Sequence, residues 1–447
     1  PVDRDLGGMT IDTEGNAPDI IIEPLELLKI YQKEYSQDVK INELSDGWKI
    51  ELSVLQCNTE LFINTKADAS IEENALRLKL QPGKNVIQFS VNSPVETGWE
   101  QSLAQSRKWW NSKWENSGML VLPDANAQKT WVRSMYQFFA TYNTDKSRLQ
   151  PPMGFAGNLW NFNFPQDIAF IHPVLMATGN FDIGKAWIEQ FSENLENMKN
   201  FTDRLLDTEV EGILCSWGFP YYDFEGFLAP VKPLKYYYAT HNSGYLARMA
   251  YETATLLNDD EWTKKHAVPL VRETALFYKK KKKKRDDGYW HLSVRPSIGQ
   301  DENGGINQDD YLCSLFSARY CFLKAIEYGL DTNGEYKTIL EDGLAFPTLL
   351  SKKSYYFTCS GTGEEDFGKQ KHPVQLNGLG FLPVHTAVTE PAVTVYDMRY
   401  ELTLDAEKPL FWGWTVGEFL LAGSRIGDVE GWKKDWNNIP KSGNVDP

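Results

Sequence analysis

The chain has 447 residues, of which 42% are hydrophobic and 24% charged, and its formal net charge is −15. This composition is typical of a soluble globular protein with a large and a smaller domain, or with two to three ordinary domains. The acidic balance argues against nucleic acid and anionic membrane as partners, because both require a basic surface. No apolar run reaches the roughly 18 residues that a membrane span needs.

Cysteine spacing and aromatic content narrow the kind of site that the chain can build. The five cysteines show no CxxC spacing, so neither a zinc site nor a disulfide scaffold is expected, and no metal or cofactor is predicted. Aromatic residues are abundant, with 15 Trp, 21 Tyr and 23 Phe. Most rings are expected in the core, and some would line a sugar cleft, because the apolar face of a pyranose stacks on a flat ring.

Residues 1–98 are expected to form an antiparallel β-sandwich, or the later part of one. Alternating and β-prone stretches predict strands at residues 49–55, 59–64, 75–80 and 85–91. Residues 99–124 differ in character, because four tryptophans recur there at the spacing of one helix face. We interpret this segment as a linker helix laid against the next domain.

From residue 125 to residue 447 the hydrophobic pattern is helical. It predicts helices at residues 126–143, 164–178, 183–203, 243–257, 261–280, 310–328, 335–350, 378–389 and 411–426. Long loops rich in Gly, Pro and aromatic residues separate several of them, and such loops are usually functional when they are too aromatic for disorder. If a ring of helical hairpins gathers these loops at one end, they build a single cleft. The six lysines at residues 279–284 are expected at an exposed helix end or loop.

One loop, Tyr289–Asn303, holds the adjacent acids Asp301 and Glu302 behind an aromatic and apolar approach. Gly and Pro mark the segment as a loop. A carboxyl group near apolar rings resists ionisation, because loss of water disfavours the charged form, and this is how a general acid usable near neutral pH is made. An exposed acidic turn is the alternative for this segment.

Other loops place polar side chains beside aromatic ones. Asn161 and Asn163 lie two residues apart, so in an extended segment both amides point the same way. His241 ends an aromatic loop just before a helix, and Gln375 and Asn377 lie one pleat apart in a fourth loop. Amides both donate and accept hydrogen bonds, which suits sugar hydroxyls. The alternatives are a turn or helix cap for each Asn and a structural hydrogen bond for His241.

These motifs, in this order, resemble two glycosidase families. Residues 242–278 resemble the helical-hairpin pattern of glycoside hydrolase family 65, and Leu159-Trp160-Asn161 resembles its Phe-Trp-Asp segment. Gly299-Gln300-Asp301-Glu302 resembles its Gly-Pro-Asp-Glu, whose Glu is the general acid. Residues 289–303, Asn161-Phe162-Asn163 and Gln375-Leu376-Asn377-Gly378 resemble motifs of family 95: its Pro-Ser-x-Ser-Pro-Glu-Asn, Asn-x-Asn and Gln-Ile-Asp-Gly.

The resemblance spans about residues 100–425 and identifies the chain as similar to the six-hairpin glycosidase superfamily. It implies a mainly α fold, an (α/α)6 barrel or toroid of helical hairpins at residues 125–447. An antiparallel β-sandwich at residues 1–98 and a linker helix at residues 99–124 would precede the barrel. The expected partner is a carbohydrate substrate, with neither nucleic acid nor membrane, and the expected location is secreted or periplasmic.

The implied function is hydrolysis of a glycosidic bond in an oligosaccharide or glycan, with inversion and with Glu302 as general acid. The residues expected to bind sugar are the loop amides, His241 and three stacking tryptophans, namely Trp160, Asn161, Asn163, Trp217, His241, Trp290, Gln375 and Asn377. Asn161 stands where family 65 has a substrate-binding Asp, and Asn377 where family 95 has its general-base Asp. An amide cannot accept the proton of an attacking water. Candidates for the missing base are Asp167, Asp223, Glu225, Asp310 and residues 364–366.

Three other functions stay open. A toroid lyase acting on a uronic-acid polysaccharide could use Asn161, His241 and Tyr245 to neutralise a carboxylate and abstract a proton, although the acidic chain argues against an acidic polymer. A non-catalytic glycan-binding protein is favoured by Asn377. A phosphorylase is a variant on the same fold, which a requirement for phosphate would reveal.

Overall fold

The computed structural model describes twelve segments of the chain: residues 6–14, 17–24, 37–54, 57–142, 144, 163–206, 211–219, 238–300, 305–364, 372–383, 390–403 and 413–438. They divide into two compact units, one ending at residue 142 and one that holds the described residues from 163 onward. The described part of the first unit contains a β-sandwich and two helices, and that of the second is mainly α.

The described residues of the first unit form eight strands in two antiparallel sheets. The strands are β1 Leu6–Thr13, β2 Asp19–Ile22, β3 Gln37–Leu44, β4 Gly47–Val54, β5 Cys57–Thr65, β6 Asp68–Glu72, β7 Ala75–Lys79 and β8 Gly83–Val91. One sheet has the order β1-β8-β5-β4-β3 and the other β2-β7-β6. The four predicted strands are confirmed to within about two residues, whereas β1, β2, β3 and β6 were not predicted; β2 is a short run of three isoleucines that does not alternate.

The two sheets face each other across an apolar layer. Ile50, Ile63 and Ile87 contribute to it from the five-stranded sheet, and Leu76 and Leu78 from β7 of the other sheet. All five are nearly inaccessible to solvent. Full burial of such a side chain stabilises a fold by about 1.5–3 kcal/mol, so this layer is what holds the sheets together as a sandwich.

The described part of the first unit also has two helices. They are α1 Trp99–Glu115, which covers the first part of the linker helix predicted at residues 99–124, and α2 Ala125–Thr141. The tryptophans of α1 contact aromatic rings of α2: Trp110 stacks on Tyr136 with 4.8 Å between ring centroids, and Trp114 meets Phe139 edge-on at 5.2 Å. The half-buried aromatic face of α1 therefore packs against a helix of the same unit.

The second unit is built from helices connected by irregular segments. They are α3 Pro165–Ala177, α4 Phe181–Glu193, α5 Leu195–Leu206, α6 Asn242–Leu257, α7 Asp260–Trp262, α8 Val268–Lys281, α9 Leu312–Glu327, α10 Glu335–Asp342, α11 Phe346–Leu349, α12 Glu390–Thr403, α13 Gly413–Ile426 and α14 Val429–Asn438. A π-helical turn, Thr263–Ala267, joins α7 to α8, and a 3-10 turn, Val374–Leu376, precedes a run of turns.

Most predicted helices are present, but several bounds differ. The helix predicted at residues 183–203 is divided into α4 and α5 at Asn194, and the one at 335–350 is interrupted at Gly343, whose φ is +97°. The prediction of a helix at 378–389 is wrong for the part that is described, because residues 377–382 form turns. Two glycines there lie so close to neighbouring side chains that a larger residue at either position would require those side chains to shift.

The lysine run contains a helix end, as predicted, but its second half forms a strand rather than a loop. Helix α8 ends within it, and Lys282–Lys284 form strand β9, which pairs with β10 Trp290–Leu292. Four of the six ammonium groups pair with carboxylates of other segments, namely Glu211, Glu335 and Asp342. Acidic side chains from elsewhere in the fold thus relieve the repulsion between the lysines.

Helix α6 is the central element of the second unit. It contacts α3, α4, α8 and α9, and the described side chains from Asn242 to Ala250 are all buried. A helix that is buried on all sides needs small residues where neighbours approach. Gly244 is such a position, because a Cβ there would lie 2.5 Å from Cβ of Ser317 in α9.

We expect Gly244→Ala to lower the free energy of unfolding by about 1–3 kcal/mol, because the added methyl group must displace α9. Urea denaturation followed by circular dichroism measures this change. The matched control is Gly417→Ala in α13, where no atom lies within 4 Å of the new Cβ. This control should be neutral or stabilising, since Ala favours a helix over Gly by up to about 1 kcal/mol. Equal effects of the two substitutions would contradict the close contact.

Candidate active site

The loop that carries the two acids is anchored at both ends to the start of α9. Asp301 and Glu302 themselves lie outside the described residues, as do Trp160, Asn161, Asp223 and Glu225. On one side of the loop, the Gln300 N–H donates to Sγ of Cys313 at 3.2 Å. On the other side, the Tyr311 hydroxyl donates to the carbonyl of Gly305 at 2.8 Å. Two residues of one helix turn therefore fix where the acid loop leaves the core and returns.

The Gln300 side chain connects three segments of the second unit. Its Oε1 accepts hydrogen bonds from the Tyr245 hydroxyl at 3.1 Å and from Nδ2 of Asn377 at 2.9 Å. Because two donors fix the carbonyl end, the Nε2 end must face the other way, and it has no hydrogen-bond partner. Oδ1 of Asn377 also has none, although this side chain is fully buried. The group thus presents one free donor and one free acceptor.

His241 lies beside this group, at the N-cap of α6. It is 1% exposed, and its Nε2 lies 2.7 Å from Oε1 of Gln166, so Nε2 carries the proton and donates. Burial lowers the pKa of His241 to about 3, which keeps the ring neutral at physiological pH. Its Nδ1 is then an acceptor, and no hydrogen bond satisfies it. The ring meets Tyr245 edge-on at 5.8 Å.

Glu418 of α13 is an ionisable residue of this region that the sequence did not single out. The side chain is fully buried, and neither carboxyl oxygen has a hydrogen-bond partner. Burial raises its pKa well above the usual range, and the positive charge of Arg399 opposes this shift. The only signal in the sequence is a lone acid within the apolar helix of residues 413–426.

Glu418 belongs to the same neighbourhood as Gln300. Burial raises the pKa of Tyr245, and the charge of Glu418 adds to this shift, so the two groups are electrostatically coupled. A Cβ at Gly380 would lie 3.0 Å from Cγ of Glu418, three residues after Asn377 donates to Gln300. One turn of chain thus touches both the amide group and the unpaired carboxylate.

Gln375 and Asn377 are not one pleat apart in a strand, as predicted. The chain forms a 3-10 turn over Val374–Leu376, so the two amides point to different neighbours. Nε2 of Gln375 donates to the carbonyl of Tyr356 at 3.3 Å, whereas Asn377 reaches Gln300. Both side chains are buried.

The start of α3 holds further predicted site residues. Asn163 is buried and forms a backbone pair with Phe219, with N···O distances of 2.9 and 2.8 Å. The partly exposed Trp217 meets Phe164 edge-on at 4.7 Å. Asp167 lies in the first turn of α3, and burial raises its pKa to about 7. A carboxyl group that titrates near neutral pH can serve as an acid or a base.

Asp310 and Trp290 make contacts that stabilise the hairpin of β9 and β10. Asp310 accepts from the backbone N–H of Leu292 at 2.7 Å and lies 2.6 Å from Nδ1 of His291. The Trp290 ring lies beneath the ammonium groups of two β9 lysines, at 4.7 and 5.5 Å, and its Nε1 donates to Asp342. These contacts account for both side chains without a ligand.

The described segments contain neither a candidate metal centre nor a candidate membrane span. Within them, no group of three His, Cys, Asp or Glu side chains could hold a metal ion. In the same part of the chain no helix is long and apolar enough to cross a membrane. Four buried cysteines form no disulfide: Cys215, Cys313, Cys321 and Cys359.

No protein-family model matches the chain. A kojibiose hydrolase from Flavobacterium johnsoniae is 25% identical over 198 residues, which cover 44% of this chain and 28% of that protein. A solved human-microbiome protein, assigned as a kojibiose phosphorylase, superimposes with a TM-score of 0.65 at 13% identity, covering 90% of this chain and 62% of its own. A rhamnosidase from Klebsiella oxytoca, at a TM-score of 0.47 and 12% identity over 98% of this chain and 76% of its own, is too distant to support a shared fold.

The likeness to the phosphorylase structure confirms the predicted fold class. The chain is mainly α, an (α/α)6 barrel preceded by an antiparallel β-sandwich. It spans less than two thirds of the length of both matched relatives, the hydrolase and the phosphorylase.

The raised pKa of Asp167 makes stability depend on pH. The group has its ordinary pKa of 3.8 in the unfolded chain and about 7 in the folded one. Between these values the folded chain retains a proton that the unfolded chain has released, so the free energy of unfolding falls as pH rises from about 4 to about 7. We expect Asp167→Asn to reduce this pH-dependent decrease in the free energy of unfolding by up to about 4 kcal/mol, at 1.36 kcal/mol per pKa unit. Urea denaturation at pH 4.5, 6 and 7.5 measures the free energy of unfolding of both proteins.

The control for Asp167 is the exposed carboxylate of Glu261, whose side chain is 89% accessible. Glu261→Gln should leave the pH dependence unchanged. A wild-type profile that stays flat from pH 4.5 to 7.5, or one that Asp167→Asn does not alter, would show that Asp167 is well hydrated in the folded chain.

Asn377→Asp introduces the acid that family 95 has at this position. A carboxylate cannot donate to Oε1 of Gln300, and its charge would be buried beside that oxygen. We expect the free energy of unfolding to fall by about 1–3 kcal/mol at pH 7. The control is Asn116→Asp, where an exposed amide donates to the Ser112 carbonyl at 2.7 Å, and where the change should stay within about 0.5 kcal/mol. Similar losses for the two variants would exclude a special role for the buried bond.

Proposed function

We propose that this chain is a glycoside hydrolase that cleaves a glycosidic bond in an oligosaccharide or glycan with inversion. One observation carries the proposal: the unpaired carboxylate of Glu418 lies in the same neighbourhood as the Gln300 amide group, next to the acid loop. An inverting glycosidase needs two carboxyl groups, one to protonate the leaving oxygen and one to activate water from the opposite face. Glu302 supplies the first and Glu418 the second.

Glu418 fits the role of base through its surroundings. Burial raises its pKa, so the resting carboxyl holds a proton. Its ionised form, which the charge of Arg399 favours, is a stronger base than an exposed Glu. An isolated buried carboxylate destabilises a fold, because its lost hydration is not replaced. A fold that keeps such a group therefore indicates that the group has a function. Water that enters the site with the substrate would restore hydrogen bonds to it and lose a proton to it.

The free polar atoms around Glu418 suit sugar hydroxyls. Nε2 of Gln300 is a donor, whereas Oδ1 of Asn377 and Nδ1 of His241 are acceptors, and all three are buried without a hydrogen-bond partner. Each sugar hydroxyl both donates and accepts, so a pyranose can satisfy all of them at once. Trp217 is available for stacking, because it is only partly buried. Trp160, Asn161 and Asn163 remain further proposed sugar contacts.

Asp167 is the alternative base, because its pKa of about 7 also suits the reaction. Gln166, the residue before it, is bonded to His241, so Asp167 lies close to the same neighbourhood. Glu418 is preferred because it is coupled to Tyr245, a direct partner of Gln300. Kojibiose is the first substrate to test, since the hydrolase and the phosphorylase that resemble this chain are both named for it.

The assignment of acid and base is tested by removing each carboxylate. We expect Glu302→Gln and Glu418→Gln each to lower kcat on kojibiose, or on the best substrate of an α- and β-glycoside panel, by about 10²–10⁴-fold. An aryl glycoside with a good leaving group should rescue Glu302→Gln, because that leaving group needs no proton. Azide should rescue Glu418→Gln, because an anion needs no general base. Product release and the anomer first formed are followed by proton NMR.

Each departure from this pattern has a defined meaning. Azide rescue of Asp167→Asn in place of Glu418→Gln would transfer the base to Asp167. Turnover that requires phosphate would make the chain a phosphorylase. Binding without turnover across the whole panel would contradict a hydrolase and favour a glycan-binding protein.

A further inference from the structure

A cavity of about 390 Å³ lies between the carboxyl-terminal ends of α6 and α9 and the short helix α7. Cavities of about 300–1,000 Å³ are typical of small-molecule sites. Tyr251 and Thr255 line it from α6, Asp260 from α7 and Tyr328 from the C-cap of α9. None of these residues belongs to the candidate active site.

The cavity and the candidate active site lie at opposite ends of α6. His241 is the N-cap of this helix, whereas Asn258, its C-cap, lines the cavity. Helix α6 has 16 residues, so at 1.5 Å per residue its two ends are about 24 Å apart. A small ligand in the cavity would therefore not reach the Gln300 amide group.

Two tyrosine rings give the cavity an apolar wall. The ring centroids of Tyr251 and Tyr328 are 5.6 Å apart, with an angle of 46° between the ring planes. Both side chains are half-buried, so part of each remains open to solvent. Tyr251 is held by Lys324, whose ammonium lies 3.9 Å from its ring centroid, and by a hydrogen bond between its hydroxyl and Glu327. The wall is thus ordered before a ligand arrives, which lowers the entropic cost of binding.

The polar lining offers both donors and acceptors. The amide of Asn258 and the hydroxyl of Thr263 can each donate and accept, and the carboxylate of Asp260 accepts. None of these three side chains is hydrogen-bonded to another residue of the described chain. A sugar ring carries hydroxyls that donate and accept around an apolar face, so it matches this combination of groups.

The carboxylates around the cavity do not make it a cation site. Asp259 accepts from the backbone N–H of Trp262 at 3.0 Å, and Glu327 is paired with the ammonium of Lys324 at 2.9 Å. Among the described residues this leaves Asp260 as the one lining carboxylate without a partner. A single exposed ion pair contributes about 0–1 kcal/mol, which is too little to hold a cation in water. The same acids repel an anion, so a neutral ligand suits the cavity best.

We propose that this cavity is a second saccharide-binding site, which takes a neutral sugar unit away from the candidate active site. The tyrosine wall contacts the apolar face of a pyranose, and Asn258, Asp260 and Thr263 bind its hydroxyls. Binding here requires no reaction, so the proposal goes beyond glycoside hydrolysis. Only the choice of kojibiose as the parent of the probe rests on the proposed function.

Hydrogen exchange of the full chain, followed by mass spectrometry, both measures binding and locates it. The probe is thio-kojibiose, in which sulfur replaces the bridging oxygen so that a glycosidase does not cleave it. We expect the probe to slow exchange in peptides that cover residues 251–263, and titration of this effect gives a Kd. Asn258→Gly should raise that Kd about three- to tenfold, as expected for the loss of one hydrogen bond. The variant should fold, because Gly readily adopts the left-handed φ of +49° at this position.

The control is Glu261→Gln, which alters an exposed carboxylate next to Asp260 but outside the cavity lining and should leave the Kd unchanged. The proposal is overturned if residues 251–263 do not respond to the probe, or if the two variants have the same Kd. It is also overturned if D-glucuronate or tetramethylammonium binds there as tightly as the probe.

Turnover of kojibiose and probe protection at residues 375–382 report the candidate active site independently. An inactive chain that binds the probe at residues 251–263 would refute the hydrolase and keep this second site. An active chain that shows no protection there would do the reverse.

Discussion

The second unit depends on the burial of helix α6 on all sides. A helix in that position cannot leave its polar side chains to water, so each of them must find a partner on a neighbouring segment. Tyr245 donates to Gln300 ahead of the acid loop, and Arg248 donates to the carbonyls of Phe381 and Ala169. Thr253 is hydrogen-bonded to the buried His172. The polar groups of one helix thus position α3, the acid loop and the turn after Asn377 relative to one another.

Polar atoms that this arrangement leaves unsatisfied mark the site. Buried donors and acceptors without partners each cost about 1–3 kcal/mol, and native folds retain few of them. Here Gln300, Asn377 and His241 each keep one such atom, and Glu418 keeps two. Their grouping around Tyr245 indicates a function more strongly than any one of them, because a ligand that satisfies all of them would recover the whole of that cost upon binding.

Glycines decide how closely the turn of residues 377–382 approaches its neighbours. A Cβ at Gly378 would lie 2.6 Å from the Phe316 ring, and one at Gly380 would lie 3.0 Å from Cγ of Glu418, so a side chain at either position would require these neighbours to shift. Their small size lets one short segment contact both the amide before the acid loop and the buried carboxyl of Glu418.

The sequence by itself determined most of the helices and four of the strands, because hydrophobic periodicity depends on local residues alone, and its resemblance to known glycosidase families implied the fold class. It also predicted Gln375, Asn377 and His241 as site residues; in the structure Asn377 is bonded to Gln300, and His241 packs against Tyr245, a second partner of Gln300. Only the tertiary structure decided that the Glu418 carboxyl is buried beside that group without a hydrogen-bond partner. The reason is physical: whether a charge is buried and unpaired depends on segments more than 75 residues away in sequence, as the 77-residue separation of Gln300 and Asn377 illustrates.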